Sequence, residues 1–160
     1  MTKQTTFLML KPDAFRSNHQ EDILKRLKGA HLVIESSKTV NVDLDVMKTL
    51  IEHYGEVIDK MDPAFNFPGK LFNSFYYYGP HTIMPMCVSY SGDEDIIEYT
   101  RKLVGATSPA NAAEGTIRGD LSDDDYDKAG AQNRLVNNLI HASDSFESKE
   151  RELTLWREYL

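Results

Sequence analysis

Hydrophobic and polar positions along this chain fall into two spacings, one suited to strands and one to helices. Residues 6–10, TFLML, form an almost uninterrupted apolar run, which predicts a short strand covered on both faces. Lys11-Pro12-Asp13 stops it, and Pro12 confines Lys11 to extended backbone. Ile23, Leu24 and Leu27 recur at helical spacing, with Gly29 placed to cap that helix. Residues 31–42, HLVIESSKTVNV, are rich in β-branched side chains and predict a strand. Asp43 is positioned to cap a helix carrying Leu44, Met47, Leu50, Ile51 and Tyr54 on one face.

Residues 59–81 are punctuated by Pro63, Pro68, Gly69, Gly79 and Pro80 and predict irregular structure. Residues 82–90, TIMPMCVSY, predict a strand, which Pro85 places at or near a sheet edge or bulge. A helix capped by Asp93 or Asp95 runs to Leu103 and closes at Gly105. Residues 105–134 lack a strong period and predict a long loop, within which SDDDYDKAG (122–130) reads as a solvated acidic turn. RLVNNLIH predicts a final strand. Asp144 or Ser145 then caps a helix with Leu153, Trp156 and Leu160 on one side, and Asp144 with Glu147 has the spacing of a capping box. The order β-α-β-α-β-α-β-α suits a ferredoxin-like split βαβ arrangement. A doubly wound parallel sheet is the competitor, but the first strand lacks the glycine-rich turn such nucleotide-binding sheets carry.

Length and composition narrow the classes. A chain of 160 residues predicts one compact domain, residues 1–160. A single cysteine, Cys87, excludes an intrachain disulfide, and its strand setting makes it a small hydrophobe. The start, MTKQTTF, is too polar for a signal peptide and no apolar run is long enough to span a membrane, so a cytoplasmic location is expected. A net charge of −7 argues against broad binding to nucleic acid, but leaves room for a small anion held by local cations.

The candidate chemistry is sparse. No Walker-type glycine loop is present, and no G-x-S-x-G elbow precedes a histidine. The five histidines form no HExxH-type pair, so no protein-held metal site is expected. Arg101, Thr107 and Arg118 bracket the loop GATSPANAAEGTIRGD, where guanidinium forks and a hydroxyl suit phosphate oxygens. The string RGD at 118–120 invites an adhesion reading that nothing else supports. The run FNSFYYYG, with Phe75, Tyr76, Tyr77 and Tyr78, would suit base stacking on single strands only beside a basic groove. Otherwise it is core or interface packing.

Taken in order, FLMLKPDA, HY, an arginine ahead of TSPANAAEGTIRGD, NLIHASDS, and a glutamate ahead of Trp156 resemble the nucleoside diphosphate kinases. That resemblance implies a ferredoxin-like α/β sandwich, with a four-stranded antiparallel sheet and covering helices. It implies transfer of the terminal phosphate of a nucleoside triphosphate to a nucleoside diphosphate, in ping-pong order, through a phosphohistidine at His141. Lys11, Arg101, Thr107 and Arg118 match phosphate-binding positions, and Asn138 matches the contact to the ribose 3′-hydroxyl. Ser143 and Glu152 match the pair that orients the histidine, and Tyr54 matches a tyrosine beside it. Phe65 is the candidate to stack on the base, although counting back from Gly69 selects Asn66, and Lys70 stands where an apolar base contact is expected. Mg2+ is implied, bound mainly through the nucleotide phosphates, and so is a homo-oligomer. The alternative is a nucleotide-binding regulatory protein on the same fold without turnover.

Three departures stand out. Ala142 follows the histidine where the family has glycine, and Glu114 replaces a proline. Extra residues lie between Asp120 and Asn138. The aspartates of this insertion would repel nucleotide phosphates, so the segment is expected to point away from the nucleotide, toward solvent or a neighbouring subunit.

Overall fold

The computed structural model describes residues 2–77, 79 and 81–160; Tyr78 and Pro80 lie outside the described residues. Strand β1 (Gln4–Leu10) is central and pairs antiparallel with β4 (Thr82–Tyr90) on one side and β5 (Ile140–Ala142) on the other. Beyond β4 lies β2 (Val33–Ser37), giving the order β2-β4-β1-β5, with the short β3 (Val40–Asn41) also on β4. This is the expected ferredoxin-like antiparallel sheet with one extra two-residue strand.

The uninterrupted apolar run of β1 follows from burial on both faces. Phe7 and Met9 enter one hydrophobic cluster with Val46, Leu50, Ile83 and Trp156, while Leu8 and Leu10 enter the other with Ile23, Leu27, Met86 and Val88. Alternate side chains of one strand thus serve two cores.

The helices are α1 (Pro12–Arg16), α2 (Gln20–Gly29), α3 (Leu44–His53), α4 (Gly55–Lys60), α5 (Phe67–Phe72), α6 (Ile96–Val104), α7 (Ile117–Leu121), α8 (Tyr126–Ala131) and α9 (Phe146–Leu155). Asp43 caps α3 through a 2.9 Å bond from the Val46 amide, and Asp95 rather than Asp93 caps α6. Ser145 caps α9 through the Ser148 amide, so the Asp144–Glu147 box is not the device used. Gly105, at φ +97°, closes α6 as expected, in a backbone region that favours glycine.

Several elements differ from their sequence expectation. Pro85 sits in a central strand, paired with Met9, not at an edge. It lies opposite the break between β2, which pairs from Met86 onward, and β3, which ends at Ile83, so no partner strand claims its missing N–H there. That same break, with a bulge between Ile34 and Ser36, divides the strand expected over 31–42. Gly29 ends α2 as a helical residue, and His31 takes the left-handed turn at φ +66°. The buried face of α3 is Val46, Met47, Leu50 and His53; Leu44 and Ile51 are exposed. Of the stretch expected to be irregular, residues 59–77 are largely helical, because Pro63 and Pro68 occupy first helical turns, where a missing N–H costs nothing. The loop expected over 105–134 contains α7 and α8, each too short to display a period. The final strand is only residues 140–142, since Leu139 turns the chain at φ +74°.

In the aromatic run, Phe75 is fully buried in the core, Tyr76 packs against that core, and Tyr77 is exposed. Among the described residues, no helix is long and apolar enough to cross a membrane.

Candidate active site

His141 is the middle residue of β5 and stands opposite Met9 in the sheet. Its Nε2 lies 2.9 Å from Glu152 Oε1, and the Ser143 hydroxyl donates to the same oxygen at 2.6 Å. Alternation along β5 and beyond explains why His141 and Ser143 share a side, and α9 carries Glu152 back across the strand end. Burial pushes the Glu152 carboxyl up, but the hydrogen bond and charge of His141, the His53 ring and the Ser143 hydroxyl together hold it below its ordinary range. An ionised carboxylate only accepts, so the proton of a neutral His141 ring belongs on Nε2. Nδ1 then carries the free lone pair, and it has no hydrogen-bond partner among the described residues.

A second histidine supports the first. His53 is buried, its ring 4.5 Å from that of His141 and nearly perpendicular to it. His53 Nδ1 accepts from the Trp156 indole at 3.0 Å, which places the proton of the neutral ring on Nε2, 3.8 Å from Glu152 Oε2. Burial, reinforced by His141, pushes His53 well below the ordinary histidine range. It therefore sits beside Glu152 without adding a competing charge. Tyr54 packs edge-on against His53 at 4.6 Å, and burial pushes its phenol up, so it stays protonated.

These groups open onto a cavity of about 620 Å³ whose wall includes Lys11, Tyr54, Phe65, Arg101, Thr107, Arg118, Asn138, His141 and Glu152. Of the residues expected from the sequence, only Ser143 stands behind the wall, fully buried. The expected residues therefore converge, although they come from five regions of the chain.

Three cations frame His141 in a chain of net charge −7. Lys11 Nζ donates to Val136 O at 3.0 Å and Asn138 Oδ1 at 2.8 Å. Burial lowers its pKa to about 8, with Asp13 opposing and Arg118 adding to the fall. Arg118, on the cavity wall, donates to the carbonyls of Asn138, Gly105 and Ile140, which uses three of its five N–H groups. Burial, then Arg101, lowers its pKa to about 10, so it stays cationic at neutral pH. Arg101 donates to the carbonyl of Ala142, the residue after His141. Because Arg118 is buried here and Asp120 pairs with Arg26 at 2.8 Å, the RGD string is not an exposed adhesion loop.

Asn138 has a second task besides any sugar contact. Its Oδ1 seats Lys11 and its Nδ2 donates to Thr107 O at 2.9 Å, so one amide ties the lysine to the hydroxyl-bearing loop. Phe65 is 40% exposed on the cavity wall, whereas Phe67 is buried against Tyr54. The ammonium of Lys70, at the position where an apolar base contact was expected, lies over the Phe65 ring, 3.4 Å from its centroid. Asn66 caps α5 through the Gly69 amide and is not part of that wall.

Three features escaped the sequence reading. His53 was a lone helical histidine whose only signal was its place beside Tyr54. Asp13 accepts from the Leu139 amide at 2.9 Å and holds the left-handed turn that aims β5, a role visible only in three dimensions. The insertion is not a solvated loop pointing away. Asp124 is buried in an ion pair with Arg134, and Tyr126, Ala129, Gly130 and Arg134 line the cavity. The expected repulsion is avoided because the one aspartate that turns inward is neutralised; Asp125 caps α8 instead.

Comparison with known proteins identifies the family. The family model for nucleoside diphosphate kinase matches residues 4–159. A protein of Methanosphaera stadtmanae named nucleoside diphosphate kinase is 41% identical over 154 residues, covering 96% of this chain and 86% of that protein. One from Staphylococcus haemolyticus with the same name is 33% identical over 153 residues, covering 96% and 87%. Among solved structures, a transition-state mimic of nucleoside-diphosphate kinase from Borrelia burgdorferi, with bound vanadate and ADP, superposes with a TM-score of 0.82. It is 27% identical and covers 99% of this chain and 90% of that one. An NDP kinase from Pyrobaculum aerophilum gives a TM-score of 0.73 at 31% identity, with 99% and 100% coverage. With its fold, its convergent site and a family match from residue 4 to residue 159, this chain belongs to the nucleoside diphosphate kinase family.

Proposed function

We propose that this chain, acting as one catalytic domain of residues 1–160, moves the terminal phosphoryl group of a nucleoside triphosphate to a nucleoside diphosphate through His141. The single observation that carries the reading is the ring itself: Nε2 tied to Glu152 and Nδ1 unpartnered on a cavity wall framed by Lys11, Arg101 and Arg118. In the first half-reaction the Nδ1 lone pair attacks the γ-phosphorus, a P–N bond forms, and the bond to the bridging oxygen breaks. The nucleoside diphosphate leaves with that electron pair. The second half-reaction runs the same step backward onto a different diphosphate. As the ring becomes positive, the Nε2–H donated to Glu152 strengthens, and Ser143 keeps that carboxylate in place.

Lys11 and Arg118 offset charge on the migrating group, Arg101 and Thr107 hold the remaining phosphates, and Asn138 takes the sugar hydroxyl. Phe65 forms the base platform once Lys70 moves aside. Little covalent work falls to the protein in phosphoryl transfer, so position and electrostatics supply the rate. A regulatory protein without turnover has no observation in its favour, since the nucleophile and its orienting carboxylate are intact.

The family is one of nucleotide-binding kinases, work that implies a divalent metal, and we infer Mg2+. The residues fit an ion carried in by the nucleotide. Among the described residues the only metal-like cluster is His53, His141 and Glu152, a nitrogen-rich set already engaged in orienting the nucleophile. The exposed carboxylate of Asp144 on the cavity wall would face the ion's water shell. When bound, Mg2+ would neutralise charge on the β- and γ-phosphates. A cytoplasmic homo-oligomer completes the proposal, with the exposed apolar side chains of Val33 and Leu44 available for contact.

A ping-pong enzyme exchanges label between ATP and ADP with no second nucleoside present. We expect that exchange, together with parallel double-reciprocal plots when donor and acceptor are varied. Intersecting plots with no exchange would require both nucleotides to be bound at once and would overturn the phosphohistidine route.

A further inference from the structure

The segment between Asp120 and Asn138 is built into the floor of the cavity. The Asp124 carboxylate accepts from Arg134 Nη1 at 2.6 Å and Nη2 at 3.0 Å, a forked pair with both side chains nine-tenths or more buried. The same carboxylate accepts from the Asn137 amide at 2.7 Å. Both acceptors that seat the Lys11 ammonium, Val136 O and Asn138 Oδ1, flank that amide in the chain. Asp124 thus holds the middle of the 136–138 stretch, and Asp13 holds Leu139, the residue that follows it. Meanwhile α8, which follows Asp124 directly, places Tyr126, Ala129 and Gly130 on the cavity wall.

From this geometry we propose that the inserted segment is an arm of the nucleotide site, and that Asp124 is a positioning residue which, paired with Arg134, seats Lys11. The proposal rests on the reading of Lys11 as a phosphoryl contact. The charged groups facing Lys11 are Asp13 ahead of it in α1, Arg118 from α7, and Asp124 and Arg134 from the two ends of the insertion. Asp124 favours the ammonium form and Arg134 disfavours it, so the two partners act on Lys11 with opposite sign. A loop that merely tolerates its position would have no such two-signed effect.

The sign follows from Lys11 acting as a cation. Burial lowers its pKa to about 8, so activity that depends on it is present below that value and is lost as pH rises through it. The test is the pH profile of kcat/KM for phosphoryl transfer from ATP, read with the full-length protein. Asp124→Asn removes the favouring charge while keeping an oxygen for the Asn137 amide. It should move the alkaline limb to lower pH, and lower the rate at pH 7 about tenfold through loss of the Lys11 seat. Arg134→Met should move the limb to higher pH, and the double variant should return it close to wild type. Asp124→Glu, which keeps the charge, should restore much of the limb and decides the matter if Arg134→Met does not fold.

Folded single variants whose limbs coincide with wild type, or shift in the same direction, would overturn the proposal. A wild type that takes no phosphate from ATP would overturn the phosphotransfer reading and this inference with it. A wild type that does, beside variants with an unmoved limb, would overturn this inference alone.

Discussion

Replacing His141 with alanine should leave a folded protein whose phosphotransfer is lower by about 10⁴-fold or more, the scale seen when the nucleophile of a covalent mechanism is removed. The fold should survive because His141 is only partly buried and holds no backbone group in place; its bonded partner Glu152 keeps the Ser143 hydroxyl. The loss leaves an ionised buried carboxylate with one partner fewer, a stability cost of about 1–3 kcal/mol. Urea denaturation read beside turnover separates the two effects. Glu152→Gln should fall between wild type and His141→Ala, since an amide still bonds the ring but offers no charge to the developing imidazolium.

The second large effect belongs to Arg118. Arg118→Ala should lower kcat about ten- to a thousandfold, the range for losing a charge-stabilising donor, with a smaller change in nucleotide affinity. It should also destabilise the fold by about 3 kcal/mol, because three buried or partly buried carbonyls, those of Gly105, Asn138 and Ile140, lose their donor. Arg118→Lys discriminates the two roles. A lysine restores a cation near the phosphoryl group but cannot reproduce the fork that ties three backbone segments, so it should recover part of the rate and little of the stability. Rates that match wild type in both variants would reduce Arg118 to a structural clamp.

The parts of the molecule legible in the sequence are those whose physics is local. Pro12 dictates the extended backbone of Lys11, Asp43 and Asp95 cap the helices that follow them, and TFLML states its own burial on two faces. The convergence of Lys11, Arg118 and His141 was legible only as motif order, since no spacing rule brings β1, α7 and β5 together. What stayed hidden depends on distant partners. Pro85 signalled an interrupted ladder but not whether it lay at an edge, because the break between β2 and β3 that accommodates it belongs to another part of the chain. The faces of α3 misled because Val46 and Leu44 differ little in hydropathy, and only the packing on Trp156 and Leu71 selects between them. Asp124 looked like one of several solvated acids until Arg134 and the Asn137 amide closed around it. His53 gave no signal of its own, because a neutral buried histidine is recognisable only by the indole that donates to it and the carboxylate it faces.

The account stands on a covalent phosphoryl group at His141. Incubation of the full-length protein with Mg2+ and γ-labelled ATP, followed by gel filtration, acid and base treatment, and peptide mapping, tests it most directly. The predicted result is stoichiometric label that is lost in acid, retained in base, released as nucleoside triphosphate on adding any nucleoside diphosphate, and located on His141. Label that resists acid, label on another residue, or transfer to diphosphate with no labelled protein at all would contradict it.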